Sequence, residues 1–215
     1  MTSSTPDVID LLTRISSGSK IDRIRSERPE TRANAQKSYL ALFEPTEPGD
    51  VSRTERLTVA AFVAGLHRAD AVADFYASGL AEIPGGASLL GAIKAEVEKG
   101  RTQGPYGRFP SGPLSAEDKP GPAFAISEFN AVTLGKTLTA ALQHSHLLVF
   151  RPREAGPAAL QRLLDAGWST TAIVTLSQIV AFLAFQIRVV GGLTALAAAG
   201  TKRLAAPNTT ATVNT

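Results

Sequence analysis

Residues 165–196 read D-A-G-W-S-T-T-A-I-V-T-L-S-Q-I-V-A-F-L-A-F-Q-I-R-V-V-G-G-L-T-A-L, and the period of their apolar side chains decides the fold class. Ile173, Leu176, Val180, Leu183, Ile187 and Val190 recur at spacings of three and four, which is one face of an α-helix. Ile179, Phe182, Val189 and Leu193 form a second stripe beside the first, so this helix is apolar over most of its surface. Gly167 can close a preceding helix, and Ser169 suits the N-cap of this one. Gly191-Gly192 is expected to weaken or end it. No charge occurs from Trp168 to Ile187, but Thr170, Thr171, Thr175, Ser177, Gln178 and Gln186 are scattered along that span. A core helix accommodates such scattered polar groups more economically than a bilayer does, so no membrane association is expected.

Working outward, A-A-A-G-T-K-R and the residues after it are small and polar, which reads as a loose tail over 198–215. Upstream, helical sequence runs from about Phe124 to Phe150 and contains Q-H-S-H at 143–146. Before it lies a Gly/Pro-rich loop over 101–122, long enough to suggest a lid, a binding loop or an arm around a neighbouring subunit. A helix is expected over about Ala87–Lys99. Ser52 and Glu55 fit a capping box, so a helix starts there and buries Leu57, Val59, Ala60, Phe62 and Val63. Gly65 reads as an interruption, after which His67 opens another helix carrying Val72, Phe75, Tyr76 and Leu80. Shorter helices are expected over Pro6–Ile15, Ile21–Arg28 and Pro29–Phe43, with Glu44–Asp50 as a connector. No strand pattern of any length appears. The expectation is one all-α domain, divided into an N-terminal extension (1–50), a first helical half (51–100), the loop (101–122), a second half (123–197) and the tail.

Composition excludes several classes. The 215 residues include no cysteine, which removes disulfides, thiolate metal sites and thiol peroxidase turnover. A hydrophobic content of 44 % supplies a core for a single domain. Net charge is +3, and Arg23, Arg25, Arg28 and Arg32 alternate with Asp22, Glu27 and Glu30, which reads as a solvated helix face. No basic stripe with interleaved aromatics points to nucleic acid. The first residues, M-T-S-S-T-P-D-V-I-D, show no basic or apolar run of a secretory leader, so a cytoplasmic location is expected.

The chemical candidates centre on His67. If His67, Asp70 and Asp74 share one helix, their i, i+3, i+7 spacing puts them on one face. A neutral imidazole beside a carboxylate suits general base work. Arg101, Tyr106 and Arg108 in the loop could clamp an anionic substrate, because guanidinium groups bind carboxylate or phosphate in a bidentate fashion. Gln186, with Gln178 and Arg188, interrupts the apolar spine and either lines a pocket or satisfies a helix crossing. His144 and His146 diverge on a helix, and no third ligand is placed by spacing, so no metal site is expected. Trp168 reads as a core residue.

The order Glu55, eleven residues, His67, two residues, Asp70, three residues, Asp74 resembles the pattern of the alkylhydroperoxidase D and carboxymuconolactone decarboxylase superfamily. That pattern has Glu, Cys, Cys and His at the same spacing, so here only the glutamate is kept. P-R-E at 152–154, followed by L-L-D-A-G-W-S-T-T-A-I-V and A-F-L-A-F-Q-I-R-V-V-G-G-L, is similar to the C-terminal helices of peroxidase-related members. The resemblance spans roughly residues 35–197 and is most specific over 160–194, in the manner of the cysteine-free "CMD domain" branch. It implies an alkylhydroperoxidase D-like helical bundle of two related halves, assembled as a homo-oligomer. It also implies a cofactor-independent acid–base enzyme of decarboxylase, isomerase or lyase type, acting on a small organic substrate. His67 would be base or acid, Asp70 its orienting partner and Glu55 a second carboxylate. The alternative is a non-catalytic binding or partner subunit that keeps the assembly without the thiol chemistry.

Overall fold

Ser52 starts the helix around which the others pack. Its hydroxyl accepts the Glu55 N–H at 3.2 Å, and the Glu55 carboxylate accepts the Ser52 N–H at 2.8 Å, which is the capping box read from the sequence. A computed structural model describes residues 6–205 of the chain, with side chains through residue 199. Among the described residues the regular structure is helical: α1 (Val8–Thr13), α2 (Lys20–Ser26), α3 (Pro29–Phe43), α4 (Arg53–Leu66), α5 (Asp70–Ala81), α6 (Gly86–Gly100), α7 (Glu128–Phe150), α8 (Pro157–Asp165) and α9 (Thr170–Ala205). Extended pairing among these residues is limited to one antiparallel bridge between Gly107 and Lys119. The all-α expectation is therefore met.

The centre of the fold is α4, not the 165–196 segment. Every residue from Arg56 to Leu66 is buried, because α5, α6, α7 and α9 pack on it from all sides. The sequence of α9 is more apolar, but only one face of that helix is covered. Leu176, Ile179 and Leu183 are fully buried there, whereas Val174, Phe185 and Leu196 stay exposed. Over Thr170–Ala199 it is long and apolar enough to cross a membrane, and 33 % of its most apolar window is buried. Gly191-Gly192 does not end it. Leu193 and the alanines that follow have high helix propensity and carry the helix to Ala205, through the start of the expected loose tail. Residues 206–215 of that tail lie outside the described residues.

Gly65 does not interrupt α4 either. A Cβ placed there would lie 2.9 Å from both methyl groups of Val97 on α6, so the glycine marks a close approach of two helices. The chain turns three residues later. His67 N–H donates to the Val63 carbonyl, Arg68 N–H to Gly65 at 3.0 Å and Ala69 N–H to Ala64 at 3.0 Å. With Arg68 left-handed at φ 57°, this is a Schellman ending in which arginine occupies the position glycine usually fills. A true interruption does occur in α7, at Gly135 (φ 72°), where the sequence suggested a continuous helix.

Polar groups inside the fold tie distant segments together. Arg56 is 5 % exposed, and its guanidinium donates to the carbonyls of Val51 (3.0 Å), Leu42 (2.7 Å) and Pro48 (2.7 Å). It thereby fixes the end of α3, the connector and the start of α4. The basic–acidic alternation of the N-terminal region is also less solvated than its pattern suggests. The Arg25 side chain is 7 % exposed and pairs with Asp7 at 2.9 Å and with Asp10, while Arg32 joins Asp10 and Asp22. Trp168 is a core residue whose indole N–H donates to Thr137 O at 3.0 Å.

Two outcomes test this packing. Gly65→Ala should destabilise the protein by about 1–3 kcal/mol through overpacking, and a second change, Val97→Ala, should restore part of the loss in urea unfolding. Arg56→Met should cost about 3 kcal/mol, because three carbonyls lose a charged donor at once, with the midpoint shift as readout.

Candidate functional site

The displaced turn after α4 decides which of the expected site residues meet. Glu55 sits in the first turn of α4 and His67 is its C-cap residue, so twelve residues of straight helix hold them about 18 Å apart. Glu55 is held in a structural role: its Oε2 accepts from both the Ser52 N–H and the Ser52 hydroxyl. Asp70 begins a separate helix, α5, and is exposed, as is Asp74. The shared face expected of His67, Asp70 and Asp74 does not form, because His67 ends one helix and the other two begin the next. Among the described residues no hydrogen bond or ion pair joins His67 to Glu55 or Asp70. His67 lies at the negative, C-terminal end of α4.

His67 does reach a cavity. A cleft of about 850 Å³ lies between the end of α4, the loop at 102–105, the end of α7 and one face of α9. Leu66, Leu148, Phe150, Val180 and Ala184 supply apolar surface, and Thr102 and Ser177 supply hydroxyls. The ionisable groups lining it are His67, Arg68 and Arg188, with no carboxylate. Burial, followed by the nearby Arg188 charge, holds the His67 imidazole below its ordinary 6.5. Arg188 is positioned by its own helix, donating to Ala184 O at 2.6 Å.

The loop residues expected to clamp an anion take other places. Arg101 donates from Nε to Gly65 O at 3.0 Å and from Nη1 to Glu98 at 2.6 Å, so it caps the end of α4. Tyr106 anchors the loop: its N–H donates to Phe150 O at 2.6 Å, its hydroxyl pairs with Thr102 at 2.9 Å, and Lys119 lies over its ring. Arg108 is exposed and outside the cleft lining. Gln186 is fully buried and accepts the Tyr76 hydroxyl at 2.8 Å, which answers the choice between pocket and helix crossing in favour of the crossing. Gln178 lines a shallow groove between α3 and α9. Arg188 alone of these three polar residues reaches the cleft.

Sequence reasoning missed Arg68, for which no motif speaks, since its position follows from where the turn falls. It also missed the apolar floor from Leu148 to Phe150, which reads as ordinary helix. His144 and His146 are both buried, and among the described residues no group of three or more His, Asp or Glu side chains is placed to hold a metal ion.

No protein-family model, curated protein or solved structure matches the chain. The site therefore has to be read from its own geometry.

That geometry carries a pH dependence. Burial holds His67, His144 and His146 all below 6.5, with Arg188, Arg162 and Arg151 respectively adding to it; the hydrogen bond to Gly100 only partly opposes this for His146. A depressed pKa means that, as the pH falls through 6.5, the unfolded chain binds protons before the folded one. The stabilisation is present above 6.5 and is lost as the pH falls towards the folded values. The melting temperature should drop between about pH 7 and about pH 5, and His144→Gln should flatten that slope whatever it does to the absolute value.

Proposed function

We propose that this chain is a cysteine-free, alkylhydroperoxidase D-like bundle related to the carboxymuconolactone decarboxylases, and that it binds a small organic anion in the cleft at His67. The charge of the cleft carries this reading: two guanidinium groups and an imidazole line it, with no carboxylate to neutralise them. Such a lining favours an anionic head group, and the apolar floor favours a hydrocarbon body. The family reading is supported by α4, a turn and α5 falling over the segment that carries the degenerate motif, with His67 at the turn where the motif has its first cysteine. The uncovered apolar face of α9 supports a homo-oligomer. The apolar 57–63 segment offers no such face, because the monomer buries it.

One observation favours the acid–base enzyme as a second reading. A neutral imidazole in a cleft beside an arginine is a base with an adjacent group to hold the anion formed by proton abstraction. His67 would then act without an orienting carboxylate, and neither Glu55 nor Asp70 would take part.

Octanoate tests the binding reading by calorimetry. Arg188→Gln should weaken it by about tenfold, the usual consequence of losing a charged hydrogen-bond donor. Arg68→Gly separates function from structure: glycine relieves the left-handed backbone and should raise the melting temperature, while octanoate affinity falls. Unchanged affinity in both variants would overturn the reading.

A further inference from the structure

His144 has no place in the chemistry of the first cleft. It stands on α7 at 5 % exposure, and among the described residues neither ring nitrogen has a hydrogen-bond partner, although neither is sealed off from open space. A ring so nearly enclosed, with both nitrogens still open to a partner, is placed to meet a group that enters from outside. Its neighbour His146 shows the satisfied alternative: Nε2–H donates to Gly100 O at 2.9 Å, and the ring stacks on Phe124 at 4.3 Å and 14°. His144 instead lines a pocket of about 290 Å³ between α7 and α8, with the Phe124 segment as its third wall.

The pocket follows from two helical registers. Ala140, His144 and Leu147 share a face of α7, and Ala159, Arg162 and Leu163 share a face of α8. No lining residue is acidic. Arg151 at the rim is already engaged by Glu154 and by Pro122 O at 3.3 Å. Among the described residues the Arg162 guanidinium has neither an ion pair nor a hydrogen bond, so one uncompensated cation faces the pocket beside one unpartnered imidazole.

We propose that this pocket is a second ligand site, distinct from the His67 cleft, and that it takes a small aromatic monocarboxylate. The carboxylate is held by the Arg162 guanidinium and by a ring N–H of His144. The aromatic ring lies among Phe124, Leu147 and Leu163. Volume and charge select this class. At 290 Å³ the pocket is at the lower end of organic-ligand sites, which suits a single ring. A phosphate dianion calls for more positive charge than one free guanidinium, whereas a monocarboxylate is matched by it. Burial and then Arg162 hold His144 in its neutral form, which offers the single N–H that a carboxylate oxygen accepts.

Benzoate is the probe, with benzamide and inorganic phosphate as controls, and the readout is the imidazole Cε1–H resonances of His67, His144 and His146. The expected result is a saturating shift of the His144 resonance with benzoate and not with either control. Arg162→Gln lies on the surface and should weaken benzoate by about tenfold, while leaving octanoate binding at the His67 cleft unchanged. Arg188→Gln should do the reverse, so failure at one site is told apart from failure at the other. A motionless His144 resonance, a shift confined to His67, equal binding of benzamide, or unaltered benzoate affinity in Arg162→Gln would each overturn the proposal.

Discussion

The contact between Gly65 and Val97 is the constraint on which the rest of the arrangement depends. With 2.9 Å between a hypothetical Cβ and the Val97 methyls, only glycine lets α4 and α6 approach this closely. That approach packs α6 on α4, and together with α5, α7 and α9 it leaves α4 buried over eleven consecutive residues. It also fixes the ends of both helices relative to each other. Arg101, immediately after α6, reaches the Gly65 carbonyl, and a Cβ at Gly100 would crowd Phe124, His146 and Leu66.

Because Gly65 is committed to packing, it cannot serve as the helix stop. The stop moves to Arg68, a residue that tolerates the left-handed conformation less well than glycine. Backbone conformations of this kind persist where surrounding structure over-determines them, and they concentrate at functional sites. Here the shift of three residues has a chemical result. It carries His67 past the end of α4 and turns Arg68 into the cleft, where Arg188 meets them from α9. A stop at Gly65 would have left His67 at the head of α5 beside Asp70, which is the arrangement the motif spacing implies.

This is also where the sequence ceases to be readable. Periodicity, the Ser52–Glu55 capping box and Pro29 specify elements through local physics, and α3, α4 and α6 lie within a residue or two of their expected bounds. Glycine is ambiguous, because it serves equally as a stop, a kink or a contact, and only the partner helix decides. Gly65 looked like a break and is a contact; Gly135 lay unnoticed in α7 and is a break. Gly191-Gly192 looked like an end and is continuous helix. The site inherits the same ambiguity. His67 and Arg188 could be singled out as chemistry on an apolar background, whereas Arg68 and the Leu148–Phe150 floor acquire a role only through the placement of the turn.

The end of α7 shows how few groups separate the two cavities. Phe150 lines the His67 cleft, and His146, one helical turn earlier, lines the pocket at His144. Between them the loop is held by the Tyr106 N–H on the Phe150 carbonyl, and α6 is held by His146 on the Gly100 carbonyl. A carbonyl oxygen can only accept, so Nε2 of His146 carries the proton and the imidazole is fixed in one tautomer and one orientation. The stack on Phe124 then holds the wall of the smaller pocket through the same ring. One histidine thus has a structural task fully accounted for by its partners, in contrast to His144, two residues away, whose ring lines the smaller pocket without a partner among the described residues.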